Sequence, residues 1–435
     1  MTEIQVGAII ILMEKDKLKQ IILDGRESLF RRNFLRRDLN IDHAFLAKTR
    51  KAAAVVGPRR AGKTTYLAQT AAELKVRRES IVFADFSELP LRDFKVGDFE
   101  GLYAAQRELW PHDSPVFFLD EIQEVRGFES GLAYLLGKGA QLYLAGSSLG
   151  LLVRELAAAM RGKVLHYMLY PLSFAEYLRF RGEENLDFRT TEGAARLYHH
   201  LDTYERWGGF PEVVLAEREE TRLNLIDSYI EVMLLRDVVE RHNAKNLPAL
   251  RRLLARLLAS YTREVSLSRW YNELKSAGLK LSRDTVYQYV SHFEESLFFL
   301  FAENAYAGST SRRKVFLVDT GLAAYERPRS PDAGKRFENH IFLWLVRLGQ
   351  SPRYARLEGH EIDFIAGDRS IQVCAALEER NWGREIGPLL NARRRGAEGV
   401  LVMRDRRGVN LPREAEGLRV LDMRDLLADP RALLG

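Results

Sequence analysis

The chain has 435 residues, of which 46% are hydrophobic and 29% charged, with a formal net charge of +6. That length exceeds what one hydrophobic core organises, and the composition excludes a disordered chain, so several globular domains are expected. A single cysteine, Cys374, excludes an intrachain disulfide framework and a cysteine-rich zinc site, and it points to a reducing, cytoplasmic setting. The mild positive charge permits contact with nucleic acid without demanding it. Residues 6–13 are apolar, but no basic stretch precedes them, and no apolar run approaches the roughly 20 residues that span a bilayer. Neither a signal peptide nor a membrane helix is expected, and no membrane partner.

Taken in chain order, the first informative element is residues 52–56, Ala-Ala-Ala-Val-Val. This short unbroken apolar run predicts a buried parallel strand. Gly57-Pro58-Arg59-Arg60-Ala61-Gly62-Lys63-Thr64 follows and meets every fixed position of G-x-x-x-x-G-K-[ST], with Thr65 opening a helix-forming stretch to residue 74. Strand, glycine loop and helix stand in the order a phosphate cradle needs. Gly57 and Gly62 allow tight backbone turns, and consecutive N–H groups with the helix N-terminus supply positive potential. Lys63 is expected to reach the β- and γ-phosphates of ATP, and the Thr64 hydroxyl to take one position on Mg²⁺.

A phosphate loop needs an acidic partner. Residues 115–119, Pro-Val-Phe-Phe-Leu, run into Asp120-Glu121, a Walker B pattern in which Asp120 holds Mg²⁺ and Glu121 polarises the attacking water. Residues 141–145 predict a third strand, ending at Gly146-Ser147-Ser148. Ser147 or Ser148 stands where a hydroxyl would orient that water, or would cap the helix that follows.

These residues resemble the AAA-plus class of P-loop ATPases. More narrowly, they are similar to the archaeal and bacterial ATPases that pair such a module with a C-terminal PD-(D/E)XK nuclease-like domain. Arg59 to Thr65 is similar to the R-R-x-G-K-T-T variant of that family, Leu119-Asp120-Glu121-Ile122-Gln123 to its L-D-E-I-Q, and Gly146-Ser147-Ser148 to its G-S-S. Tyr170 to Tyr177, Gly208-Gly209-Phe210-Pro211-Glu212-Val213 and Arg236-Asp237-Val238 resemble its further motifs. The resemblance implies ATP turnover, with ADP as product, in a homo-oligomer. There Arg154 or Arg161 would reach the γ-phosphate of a neighbouring copy. The residues themselves equally allow both arginines to be solvated, since they sit in an Ala- and Leu-rich helical stretch.

From residue 174 to 257 the pattern is helical, and the amphipathic stretch at 219–242 suits a helical lid. Residues 261–303 read as a winged helix, with one helix from Ser266, a second from Ser282, and an apolar wing strand at 297–301. Ser282, Arg283, Thr285, Gln288 and Tyr289 are the candidates for the DNA major groove; packing between domains is the alternative use of such a fold.

Lys314 to Leu322 is similar to the family's K-x-Y-x-x-D-x-G-L. The resemblance then implies a nuclease-type metal site at Glu338, Asp363 and Gln372, with a lysine at position 374. Cys374 stands there and supplies no ammonium, so a degenerate site is expected. Arg353 and Arg356 are candidates for a displaced basic residue that would compensate.

The fold class expected is α/β: a P-loop parallel sheet over residues 1–170, a helical lid over 171–258, a winged helix over 259–325, and a restriction-nuclease-like α/β domain over 326–435. The function expected is Mg²⁺-dependent ATP hydrolysis coupled to DNA. A nucleotide-gated switch for protein partners and an active nuclease are the alternatives.

Overall fold

The computed structural model describes residues 13–146, 160, 162–306, 312–325, 332–357, 360–409 and 411–435. The chain divides into two compact units, Met1–Leu169 and Tyr170–Gly435.

The first unit is built on a parallel sheet of β1 (Ala52–Val56), β2 (Ile81–Asp85), β3 (Val116–Asp120), β4 (Gln141–Gly146) and β5 (Val164–Met168). Its order is β2-β3-β4-β1-β5. Every residue of β1 and β3 is buried, as unbroken apolar strands covered on both faces must be. Helices Lys63–Glu73, Asp98–Leu109 and Phe128–Gly137 follow β1, β2 and β3 in turn, which makes the long connections that parallel neighbours need. One core joins Val55, Leu67, Phe83, Phe118 and Tyr143, with Phe118 and Tyr143 stacked at 4.9 Å between ring centroids. The strands expected at 52–56, 115–119 and 141–145 coincide with β1, β3 and β4 to within a residue; β2 and β5 were not anticipated.

Two large cores organise the second unit, with smaller clusters around Leu401 and Ile362. Helices Glu219–Val232 and Leu247–Ala259, the π-helical segment Met233–Glu240, and helices Leu267–Ser276 and Arg283–Glu295 share one interior through Ile226, Leu234, Leu254, Trp270, Val290 and Phe293. A three-stranded antiparallel sheet completes it: β6 (Arg263–Val265), β7 (Phe299–Ala302) and β8 (Arg313–Leu317), in the order β6-β8-β7. The boundary expected at 258/259 therefore falls inside a common core. Helices Phe174–Phe180 and Thr191–Trp207 instead pack with the C-terminal elements, through Phe174, Tyr204, Phe337, Phe342, Phe364 and Val400.

The C-terminal elements begin with helix Ala333–Arg347 and continue into β9 (Arg353–Leu357), β10 (His360–Ala366) and β11 (Arg369–Cys374), an antiparallel meander. Helices Trp382–Glu385 and Gly387–Arg394 then lead to β12 (Glu398–Met403), parallel to β11, and β13 (Arg419–Leu421) closes the edge. Among the described residues no helix is long and apolar enough to cross a membrane.

Candidate functional site

In a parallel sheet, ligands collect at the carboxyl ends of the strands. In the first unit the carboxyl ends of β1 to β4 present the 57–62 loop, Asp85, Asp120 and Gly146. The loop is shaped by its glycines. A Cβ on Gly57 would lie 2.1 Å from the carbonyl oxygen of Leu169, so only glycine passes there. Gly62 stands at φ 91 just before helix Lys63–Glu73, a conformation other residues reach at a cost of roughly 1–2 kcal/mol. Arg60 adopts φ 67 and is exposed, whereas Arg59 is half-buried. Pro58 and Ala61 are buried, and Thr64 and Thr65 sit half-buried in the first helical turn.

Lys63 is 6% exposed and turns back into the loop, where its Nζ donates to the carbonyl oxygens of Gly57 (3.1 Å) and Pro58 (3.0 Å). An ammonium and the helix N-terminus therefore converge on one concave stretch of backbone. Their common field favours a polyanion.

Asp120 ends β3 and is buried. Its Oδ1 accepts from the Glu121 amide at 3.0 Å, while its Oδ2 is enclosed and has no hydrogen-bond partner. Burial, then the charge of Glu121, pushes this carboxyl up to about 7; the Thr64 hydroxyl and Lys63 pull it the other way, and Asp85 adds to the rise. A buried carboxylate oxygen with nothing bound to it, beside a threonine hydroxyl, is a hard-oxygen donor pair of the kind Mg²⁺ takes. Glu121 is held at φ 48, a strained backbone for a non-glycine residue, and Gln123 Nε2 donates to its carboxylate.

Residues 49–178 match the family profile of an AAA domain. This part of the chain is similar to AAA-type P-loop domains. Residues 198–333 match a domain of unknown function (DUF8612), and that span contains the whole of the core from Trp207 to Ala323. An uncharacterized protein of Methanocaldococcus jannaschii is 29% identical over 382 residues, covering 86% of this chain and 85% of its own. An uncharacterized protein of Haemophilus influenzae is 28% identical over 351 residues, covering 78% and 85%. Among solved structures, the Walker-type ATPase PABY2304 of Pyrococcus abyssi aligns with a TM-score of 0.44 at 16% identity, covering 69% of this chain and 100% of its own. The Orc1 protein of Aeropyrum pernix in complex with DNA aligns with a TM-score of 0.28 at 16% identity, covering 73% and 93%.

Two features of the AAA domain site escaped the sequence reading. Arg37 is 5% exposed; its guanidinium donates to the Ala61 carbonyl at 2.7 Å and so braces the phosphate loop from behind. Gln69 holds the Arg37 backbone in turn, accepting from its N–H at 2.8 Å and donating to its carbonyl at 3.1 Å. No local sequence signal marks Arg37, because its partner is a backbone carbonyl 24 residues away. Asp85 pairs in register with Asp120 across β2 and β3. Here the signal was present: Ile81-Val82-Phe83-Ala84-Asp85 is an apolar run ending in an acid, like β3. Burial, then Asp85, raises the Glu88 carboxyl, so the acidic edge extends to β2. Ser147, Ser148, Arg154 and Arg161 lie outside the described residues.

The five candidates for the DNA groove divide. Ser282 caps helix Arg283–Glu295, its hydroxyl accepting from the Thr285 N–H at 3.0 Å. Arg283 and Gln288 are exposed, and Thr285 is half-buried. Tyr289 must be corrected: it is 7% exposed, and its hydroxyl accepts from the Asn246 N–H at 3.4 Å. Val286, Tyr289, Val290 and Phe293 recur at helical spacing and bury that face, which leaves Tyr287 as the outward aromatic.

In the C-terminal elements, Glu338, Asp363, Gln372 and Cys374 come to one place on helix Ala333–Arg347, β10 and β11, and Lys314 of β8 enters among them. Its Nζ lies 3.0 Å from Glu338 Oε1 and 3.8 Å from Asp363 Oδ1, and it pairs with Glu361. Burial opposes the charge on Lys314, but Glu338, Asp363 and Glu361 outweigh it and hold the ammonium above the usual lysine range. Burial lifts Glu338, and burial with Glu338 lifts Asp363, above the ordinary carboxylate range. Gln372 Nε2 donates to Glu385 at 3.2 Å. Cys374 is buried, with its thiol pushed up to about 12 by burial and Glu385 and donating to the Ala376 carbonyl at 3.1 Å. The cation in this cluster therefore comes from Lys314. Among the described residues Arg353 pairs with none of Glu338, Asp363 and Glu361, and Arg356 pairs with Glu361 and Glu264.

Proposed function

We propose that the chain binds ATP with Mg²⁺ at the AAA domain and hydrolyses it. The observation that carries this reading is the convergence of Lys63, turned into the glycine loop, with the buried and unpartnered Oδ2 of Asp120. In this reading the backbone N–H groups of residues 57–64 and Lys63 receive the phosphates, and Thr64 and Asp120 hold Mg²⁺. Glu121 takes the proton of the attacking water. Bound there, Mg²⁺ would neutralise charge on the β- and γ-phosphates. Arg59 and Arg60, within the loop, and Thr65, just beyond it, are further contacts to the nucleotide in this reading. Ser147 or Ser148 would orient the water, and Arg154 or Arg161 of another copy would complete the site in a homo-oligomer.

The three helices and three-stranded sheet between residues 247 and 317 support a winged-helix reading, with DNA as the partner of the outward face carrying Arg283, Tyr287 and Gln288. The Lys314 cluster supports a nuclease-like domain without nuclease chemistry. A lysine kept charged cannot accept a proton from water, and it already neutralises one of three carboxylates.

Steady-state phosphate release tests the central claim: Lys63→Ala is expected to abolish it, and a variant with full activity overturns the proposal. A salt titration of DNA binding, with phosphate release followed in parallel, tests the coupling. DNA-stimulated hydrolysis is expected. Slow turnover indifferent to DNA, with no DNA binding at low salt, favours a nucleotide-gated switch for protein partners. Metal-dependent DNA cleavage that disappears in Asp363→Ala would overturn the inactive reading of the C-terminal cluster.

A further inference from the structure

Helix Arg283–Glu295 carries His292 and Glu295 three residues apart in its last turn, so their side chains leave one face. His242 meets them from the chain just beyond the π-helical segment Met233–Glu240. The imidazoles of His242 and His292 lie 3.7 Å apart between centroids with planes 11° apart, and His242 Nε2 is 3.6 Å from Glu295 Oε2. One ligating atom from each of the three residues falls within 4.8 Å of the others.

The packing of these rings leaves a debt. His242 Nε2 and His292 Nδ1 are shut off from solvent, and neither has a hydrogen-bond partner. An enclosed polar atom left unsatisfied costs roughly 1–3 kcal/mol, and the cluster holds two of them. The neighbouring cation, Arg241, is turned to Asp237 at 3.1 Å.

We propose that His242, His292 and Glu295 bind a zinc ion. Two imidazoles and one carboxylate form a donor set that Zn²⁺ takes while keeping a fourth position for water. Mg²⁺ and Ca²⁺ prefer oxygen throughout, so the ion serving the phosphate loop does not compete here. Two parallel rings cannot both aim in-plane lone pairs at one ion. Binding therefore turns one imidazole about χ2 and breaks the stack. The ion would lie at the rim of a contact that is already apolar, since Leu234 and Val238 of the π-helical segment share a core with Val290 and Phe293. It would tie the helix that presents Arg283 and Gln288 to the end of the preceding helical run, and so fix the pitch of that outward face. The site does not depend on the nucleotide reading.

The test is calorimetric titration of the EDTA-stripped full chain with Zn²⁺ in saturating Mg²⁺, repeated with Co²⁺ while its visible absorption is followed. One site is expected, with a tetrahedral Co²⁺ spectrum. Losing a direct ligand should weaken binding by at least the about hundredfold that loss of an outer-shell partner reaches, in both His242→Gln and His292→Gln. Replacement of the exposed His360 by Gln should bind as the parent does. Zn²⁺ should raise the melting temperature of the parent and not of the two variants, whose melting in EDTA should match the parent's and so show that they fold. Absence of binding, parent-like binding in both histidine variants, or binding lost instead in Asp363→Asn overturns the assignment.

Discussion

Asp120 is buried at the carboxyl end of β3 with one oxygen unpartnered, an arrangement that only a bound cation or a proton relieves. Its carboxyl is pushed up to about 7 from an ordinary value of 3.8, so the folded chain holds this proton where the unfolded chain has lost it. The stability it contributes is present below the unfolded value and is lost as pH rises through about 7. Asp120→Asn should therefore melt at a higher temperature than the parent at pH 8 and at a similar temperature at pH 4, while phosphate release disappears. Scanning calorimetry across pH checks both limits. Added Mg²⁺ should narrow the difference at pH 8, because the ion favours the ionised form. Glu121 makes a separable demand: Glu121→Gln should bind nucleotide as the parent does and lose phosphate release by about 10²–10⁴-fold, the usual worth of a positioned general base. Equal loss of binding and turnover would assign Glu121 to architecture instead. Lys63, Thr64 and Asp120 were legible because each stands at a fixed distance from a glycine loop or a strand end. Arg37 was not, since its role exists only once the chain folds back on Ala61.

The segment motifs outside the nucleotide loop prove to be joints. Gly208-Gly209 closes helix Thr191–Trp207 against Asp319, whose Oδ2 accepts from the Gly209 N–H at 2.6 Å and whose Oδ1 accepts from the Gly321 N–H at 2.9 Å. A Cβ on Gly208 would stand 1.6 Å from that carboxylate, at a φ of 76. Gly208→Ala should therefore cost at least ~2 kcal/mol, read by urea unfolding with tryptophan fluorescence, since backbone and carboxylate must both give way. Asp319 is pushed up to about 6 by burial against the pull of its two amide donors. Its stabilising contribution is thus present below its ordinary 3.8 and lost as pH rises through about 6. Ser173 and Glu176 form a reciprocal cap on helix Phe174–Phe180, so that motif too is a helix start rather than a site. Tyr289 was expected among the residues of helix Arg283–Glu295 that face DNA. Counting in steps of three and four from Val286 would have placed it correctly.

At the scale of the second unit, one lysine holds separate elements together. Lys314 leaves β8 to sit between Glu338 of helix Ala333–Arg347 and Asp363 of β10, and all three are largely removed from water. Lys314→Met should destabilise the chain by ~3–5 kcal/mol at pH 7, the usual cost of stripping the partner from buried charge. Acidification should relieve that loss, because Glu338 and Asp363, both above the ordinary carboxylate range, then take up protons. A variant that melts like the parent at pH 7 would show that the carboxylates are already protonated and that Lys314 holds nothing. The core from Trp207 to Ala323 runs across the boundary drawn at 258/259, and the core from Leu172 to Leu433 joins helices expected in a lid to the C-terminal sheet.

By itself the sequence determined the strand, loop and helix of residues 52–73, the acidic end of β3, and the absence of a lysine at position 374. These are local facts, set by backbone freedom at glycine, by apolar runs, and by the identity of single side chains at fixed spacing. Tertiary structure decided that Lys314 neutralises Glu338 and Asp363, that Arg37 braces the loop, and that His242 meets His292 and Glu295. Each of those contacts joins residues far apart in the chain. Their energies depend on which apolar faces choose one another on folding, and amphipathic periodicity shows that a face must be buried without showing against what.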